Sequence, residues 1–186
     1  MKKYRGLKQQ VWQYEDYELV PIRDKDRLAI MRWRNEQMYH LRQSSELTPE
    51  DQDRYFEKVV APLFELERPN QVLFSYLHKA KCIGYGGLVH INWYDGNAEL
   101  SFIMQTSLEE EGFAFHWSTY LKMIEKVAFQ ELNLHKVFTY AIDLRPRLYP
   151  VLKEAGFTQE AILKDHVFFD GSYVDVILHR KLNTNE

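Results

Sequence analysis

The chain has 186 residues, 45% of them hydrophobic and 27% charged, with a formal net charge of −3 and a pI near 6.2. That length suits one domain with a sizeable core, and the absence of a dense basic run excludes a primary role in nucleic-acid binding. Cys82 is the one cysteine, so no internal disulfide can form; the seven histidines show no zinc-type spacing and no metal is expected. No stretch approaches ~18 apolar residues and no signal peptide is visible at the N-terminus, so a cytoplasmic protein with no membrane partner is expected.

Residues 1–15 carry little pattern and read as a loose arm or an added edge, ahead of one domain over 16–182 and a short tail at 183–186. A first strand is predicted over Tyr17–Ile22. Asp24 reads as the N-cap of a helix through Leu28–Met38, with Leu28, Met31 and Met38 as its buried stripe. Thr48-Pro49-Glu50-Asp51 is a strong helix start, with a capping hydroxyl, proline at the first helical position and acids at the positive end of the dipole. Phe56, Val59 and Leu63 continue that helix, and Pro62 should bend or end it.

Two strands follow, Gln71–His78 and Lys81–Ile91, joined at Lys79-Ala80. Gly84-Tyr85-Gly86-Gly87 is not followed by a helix, so it reads as a place of bulge or close backbone approach rather than a dinucleotide loop. Asp95-Gly96 turns the chain into a strand at Asn97–Met104. A helix over Phe113–Leu132 buries Phe113, Trp117, Leu121, Ile124 and Ala128 at helical spacing. A strand at His135–Asp143, a second helix and Lys153–Phe157 come next, then two strands turned at Asp170-Gly171, a strong hairpin signal. The order predicts an α/β fold, a mixed central sheet with helices on both faces.

From Asn97 to Phe157 the sequence runs strand, acidic loop, Gly112-Phe113-Ala114, helix, strand, helix and Ala155-Gly156-Phe157. In order and spacing this resembles the acyl-coenzyme A binding half of the GNAT superfamily of N-acetyltransferases. The resemblance implies a sheet splayed at the cofactor site, with backbone groups of Ser101, Phe102, Ile103 and Met104 pairing with the pantetheine amides of acetyl-coenzyme A. It also implies that amides of Gly112, Phe113 and Ala114 meet the diphosphate at a helix N-terminus. The family pattern there is Arg or Gln, two residues, Gly, one residue, Gly or Ala. Gly112 and Ala114 match, but Glu109 stands in the first place. Acids at a helix start are favourable by ~0.3–1 kcal/mol, so Glu109–Glu111 read either as helix stabilisers or as groups that repel the diphosphate. Arg145, where the family usually keeps asparagine, and Arg147 read as compensating charge or as solvated arginines.

The family commonly places a tyrosine, donor to the leaving thiolate, where this chain has Leu152. Tyr149 is the nearest alternative, or else a packed aromatic. For the base, Glu99 is the first candidate; alternation sends it with Ser101 and Ile103 to one side of its strand. Pairing with an arginine is its structural reading. His90 and His78, at strand ends, are alternative bases or surface residues. On the acceptor side, Arg32-Trp33-Arg34-Asn35 resembles an element of the ribosomal-protein-type and amino-sugar acetyltransferase branches. Arg32, Trp33 and Arg34, with Tyr39, His40 and Arg42, read as a diphosphate grip or as an ordinary amphipathic helix; Trp93 and Tyr94 would close the pocket or cover the sheet edge.

The resemblance therefore implies acetyl transfer from acetyl-coenzyme A to a primary amine by direct attack. The acceptor it favours is a small molecule, a nucleotide-linked amino sugar of surface-glycan synthesis. A protein N-terminal amine and a non-catalytic binding or assembly module are the alternatives, and a homodimer is an allowed assembly.

Overall fold

Eight strands make one sheet: β1 (Trp12–Tyr14), β2 (Tyr17–Pro21), β3 (Val72–His78), β4 (Lys81–Asn92), β5 (Asn97–Met104), β6 (Lys136–Ile142), β7 (Thr158–Phe169) and β8 (Ser172–Leu182). Their spatial order is β1-β2-β3-β4-β5-β6-β8-β7. Every neighbouring pair is antiparallel except β5–β6, which is parallel and requires a crossover. The computed structural model describes residues 2–184; Met1 of the expected arm and Asn185 and Glu186 of the expected tail lie outside the described residues. None of the described helices is long and apolar enough to cross a membrane.

Helix α1 (Arg27–Glu36) and helix α2 (Pro49–Tyr55) follow β2; α2 runs on through a wide π-turn at Phe56–Val60 to a last turn, α3 (Ala61–Leu63). The crossover is built from a short helix, α4 (Thr106–Glu111), and the long α5 (Phe113–Glu125), which continues in a π-turn at Lys126–Glu131. Helix α6 (Leu148–Glu154) follows β6. The two sheet faces are distinguished by β5. Phe102 stacks on Tyr120 of α5 at 3.9 Å between ring centroids. Glu99, on the opposite side of the pleat, pairs with Arg42 just beyond α1.

All five residues expected to bury along α5 do so, with Ile124 and Ala128 at 0% exposure. Asp51 and Thr48 form a complete capping box at the start of α2. Lys79 and Ala80 both take left-handed φ, 47° and 66°, as do Asp170 and Gly171, which is what a two-residue hairpin of primed type requires. Trp12–Tyr14 adds an edge strand, and the buried Tyr4 hydroxyl donates to the Leu73 carbonyl at 2.9 Å while accepting from the Leu73 amide at 3.0 Å.

Three expectations are corrected. Asp24 does not cap α1: Asp24–Asp26 forms a 3-10 turn, and the buried Asp26 accepts from Arg23 and from Ser75 Oγ at 2.6 and 2.7 Å. That turn resets the phase of α1, so Ile30, Trp33 and Gln37 are buried while Leu28 is 45% exposed. In the second helix the π-turn inserts one residue and moves the buried position from Val59 to Val60.

The glycines of β4 permit close approach. A Cβ on Gly86 would lie 2.2 Å from the Ser101 carbonyl oxygen and 2.6 Å from the Tyr120 hydroxyl. Only glycine leaves that hydroxyl free to donate to Ser101 at 2.8 Å, tying α5 to β5. Gly86→Ala is expected to lower stability by about 2–3 kcal/mol from overpacking and the loss of this bond, read as a fall in urea midpoint at unchanged slope.

Candidate active site

The parallel pairing of β5 with β6 lasts three residues, Asn97 with Lys136, Ala98 with Val137 and Glu99 with Phe138. Beyond Glu99 the strands part, because β5 stays paired with β4 as far as Met104 while β6 stays paired with β8 as far as Ile142. Between them opens a cleft of about 330 Å³. One wall is Leu100–Ile103, the other Thr139–Ile142, and Trp117 of α5 reaches in between. Two buried polar atoms in this lining lack a hydrogen-bond partner, the Trp117 indole Nε1 and the Thr139 hydroxyl. Such orphans cost roughly 1–3 kcal/mol each in a folded protein, which marks the cleft as built for something polar.

At the inner end of the cleft Glu99 is buried and ion-paired with Arg42, whose guanidinium also lies 4.5 Å from the Tyr140 ring centroid. His90 Nε2 stands 3.9 Å from the second Glu99 oxygen. His90 has φ of 52° at an interruption of the β4–β5 register between Val89 and Asn92. A bulge of this kind re-aims a side chain, and here it turns an exposed imidazole toward a buried carboxylate. His78 is placed elsewhere, stacked on Tyr17 at 4.6 Å.

The mouth on the side of α1 holds Arg34, which donates to the Tyr85 hydroxyl at 2.7 Å and to Gln43 at 3.0 Å. His40 is buried there, with Nε2 3.3 Å from Gln37 Oε1. Burial, with Arg145, Arg147 and Arg34 nearby, pulls its pKa down to about 3. Arg32 and Trp33 do not line the cleft, correcting the expected grip. Successive helical residues point about 100° apart, so Trp33 enters the core and Arg32 lies exposed near Glu36. Trp93 donates to the Pro69 carbonyl at 2.8 Å and Tyr94 is 97% exposed, so neither closes the cleft.

At the outer end, the start of α5 has no side-chain cap. Glu110 and Glu111 are exposed, whereas Glu109 is buried and accepts from Arg145 at 3.3 Å and Arg147 at 2.9 Å. Arg147 lies 4.3 Å from the Phe113 ring and Arg145 5.7 Å from it. Gly112, Phe113 and Ala114 do not line the cleft; Phe113 is linked to it through Arg145, which does. Burial pulls the Arg145 pKa below its ordinary value. Tyr149 does not line the cleft: its hydroxyl donates to Asp143 at 2.6 Å, and burial with that carboxylate pushes its pKa up. Met104 is likewise outside the lining, its carbonyl accepting from Gln37 at 2.8 Å. Sequence reasoning passed over Trp117 and Thr139 as site residues. An indole on an apolar helix face is itself a signal, since its N–H needs a partner; a threonine in a strand gives none.

Comparison with known proteins bears on the family and the fold. The model of the acetyltransferase (GNAT) domain family matches residues 19–178. A spermidine N(1)-acetyltransferase of Vibrio cholerae is 31% identical over 94 residues, so the match spans 50% of this chain and 53% of that relative. The crystal structure of a Vibrio cholerae spermidine N-acetyltransferase in complex with CoA and spermine superposes with a TM-score of 0.78 at 21% identity, covering 92% of this chain and 98% of that one. A dodecameric form of such an enzyme superposes at 0.75 and 22% identity, covering 92% and 96%. At that identity the likeness establishes the fold.

The depressed His40 pKa has a consequence for stability. Between the unfolded value near 6.5 and the folded value of about 3 the unfolded chain binds the extra proton, so stability falls as pH is lowered through that window. His40→Gln should remove up to ~1.4 kcal/mol per pH unit from the slope of stability between pH 4 and 6. His116 and His179, also held low by burial, retain the rest; denaturant titrations at stepped pH measure the difference.

Proposed function

The chain belongs to the acetyltransferase (GNAT) domain family, and from that premise we propose that it moves an acetyl group from acetyl-coenzyme A to the primary amine of a small molecule. The observation that carries this reading is the parted β5–β6 edge with its two orphaned polar atoms. A pantetheine arm has amides of both polarities. Trp117 Nε1 can donate to one of its carbonyls, and Thr139 Oγ1 can donate or accept. The backbone beyond Glu99 that has no partner on β6 supplies further pairing. The uncapped first turn of α5 fits an anion, so the residues present suit the cofactor at both ends.

Bound acetyl-coenzyme A would supply an acyl group already activated as a thioester. The chain's own contribution is first positioning, which can be worth ~7–11 kcal/mol of the barrier. Glu99, fixed by Arg42, is a buried anion beside His90. In the proposed chemistry His90 takes one proton from the acceptor ammonium, Glu99 stabilises the resulting imidazolium, and the amine nitrogen bonds to the acyl carbon as the C–S bond breaks, its second proton passing to solvent as the neutral amide forms. The thiolate then takes its proton from solvent, as its ordinary pKa of about 8.5 allows.

Polyamines are the first acceptor class to test, because a relative matched over half the chain is a spermidine N(1)-acetyltransferase. One observation favours a second class. Arg34 stands at the cleft mouth with Gln43 and Tyr85 as partners and, among the described residues, no carboxylate. A guanidinium so placed attracts an anion and opposes a polycation, which favours an amine that also carries phosphate, such as a nucleotide-linked amino sugar. Initial rates with spermidine and with a nucleotide-linked amino sugar separate the two. Arg34→Ala should slow acetylation of the phosphate-bearing amine about tenfold and leave or improve that of spermidine.

Two variants test the site. Trp117→Phe should weaken acetyl-coenzyme A binding roughly five- to tenfold in calorimetry without lowering the stability of the free protein, since it removes an orphan. Loss of stability with unchanged binding would make Trp117 a core residue only. Glu99→Gln should lower kcat by ~10²-fold or more with little change in cofactor affinity; an unchanged kcat would remove Glu99 from the chemistry.

A further inference from the structure

Glu109 occupies the place where the family pattern has Arg or Gln, and it is neither solvated nor turned toward the amides of α5. It is buried in the grip of two guanidinium groups, Arg145 at 3.3 Å and Arg147 at 2.9 Å, both carried by the loop before α6. Planar guanidinium forks recognise carboxylate and phosphate oxygens by the same geometry. Both arginines also lie against Phe113, the first residue of α5, where the helix start is uncapped. A carboxylate held in this way beside an uncapped helix start offers the two guanidinium groups the same oxygen geometry as a phosphate group.

We propose that Arg145 and Arg147 bind the diphosphate of the cofactor, and that Glu109 is the internal anion they hold until it arrives. This rests on the acyl-coenzyme A reading above. Charge balance drives the exchange. Two guanidinium groups and one carboxylate leave one positive charge in the free protein. A diphosphate carrying two negative charges neutralises the arginines when Glu109 withdraws, and leaves a net negative site when it does not. Glu110 and Glu111 already project into solvent, so rotation of Glu109 to join them needs only a change at the end of the six-residue α4. Glu109 thereby lowers cofactor affinity without touching the thioester, and sets how strongly the site prefers a diphosphate-bearing ligand over the bare pantetheine arm.

The test is the ratio of pantetheine to coenzyme A dissociation constants, measured by calorimetry on the full chain. Glu109→Gln should raise this preference about tenfold, by freeing a site that the internal anion keeps occupied. Arg147→Ala should lower it about tenfold, by removing a charge-assisted contact. Pantetheine binding itself should change little in both. Arg147 is half-exposed, so its variant folds even if Glu109→Gln does not. If Arg147→Ala leaves the preference unchanged while coenzyme A still binds, the arginine assignment is overturned. If folded Glu109→Gln leaves it unchanged, Glu109 is no stand-in. If neither compound binds the wild-type protein, the acyl-coenzyme A reading itself fails and this inference goes with it.

Discussion

The parallel ladder between β5 and β6 stops after Glu99 because each strand is committed to a different neighbour. A strand cannot follow two diverging partners, and buried backbone groups are rarely left unpaired. The wedge that results has to be filled by side chains or by a ligand. Here the side chains fill it incompletely, leaving the Trp117 indole and the Thr139 hydroxyl without partners in a lining that mixes Leu100, Phe102, Ile103 and Ile142 with charged residues such as Arg42 and Glu99. The remaining features of the site take their positions from that wedge. The crossover helix α5 packs behind it through the Phe102–Tyr120 stack, and the Gly86 close approach lets Tyr120 reach Ser101.

Charge is distributed along the wedge in a definite order. At the narrow end Arg42 holds Glu99; at the wide end Arg145 and Arg147 hold Glu109; at the mouth facing α1 stands Arg34. The first and second of these include carboxylates that are nearly inaccessible, and breaking such a pair typically costs ~3–5 kcal/mol. Exposed pairs such as Lys58 with Glu57 contribute ~1 kcal/mol or less. Of these two carboxylates Glu99 lines the cleft and Glu109 is linked to it through Arg145, whereas the buried Asp26, paired with Arg23, lies outside the lining. The arginine partners of Glu99 and Glu109 keep the region cationic, which suits a diphosphate and sets a condition on any acceptor.

The sequence made legible those features that depend on local spacing. The apolar stripe of α5, the cap at Thr48, the hairpin at Asp170-Gly171 and the Gly112–Ala114 helix start all follow from residues within two turns of one another. What it hid depends on residues brought together from afar. Glu109 reads locally as one of three acids favouring a helix terminus, and only the approach of Arg145 and Arg147, some 36 residues on, separates it from Glu110 and Glu111. An arginine partner for Glu99 is one reading the sequence offers, but not which arginine: Arg42 reads as part of a diphosphate grip or an amphipathic segment until β5 places Glu99 beside it. The buried face of α1 differs from the one its spacing predicts because a 3-10 turn changes helical phase without a strong sequence mark.

If main-chain groups of β5 past Glu99 take up an acyl-coenzyme A arm, binding must shield the amides on both walls of the cleft. Amide hydrogen exchange with and without acetyl-coenzyme A addresses it directly. Exchange should slow across residues 100–103 and 139–142, with the far hairpin of β7 and β8 unaffected. Unchanged exchange in both segments at a cofactor concentration that calorimetry shows to be saturating would contradict that uptake.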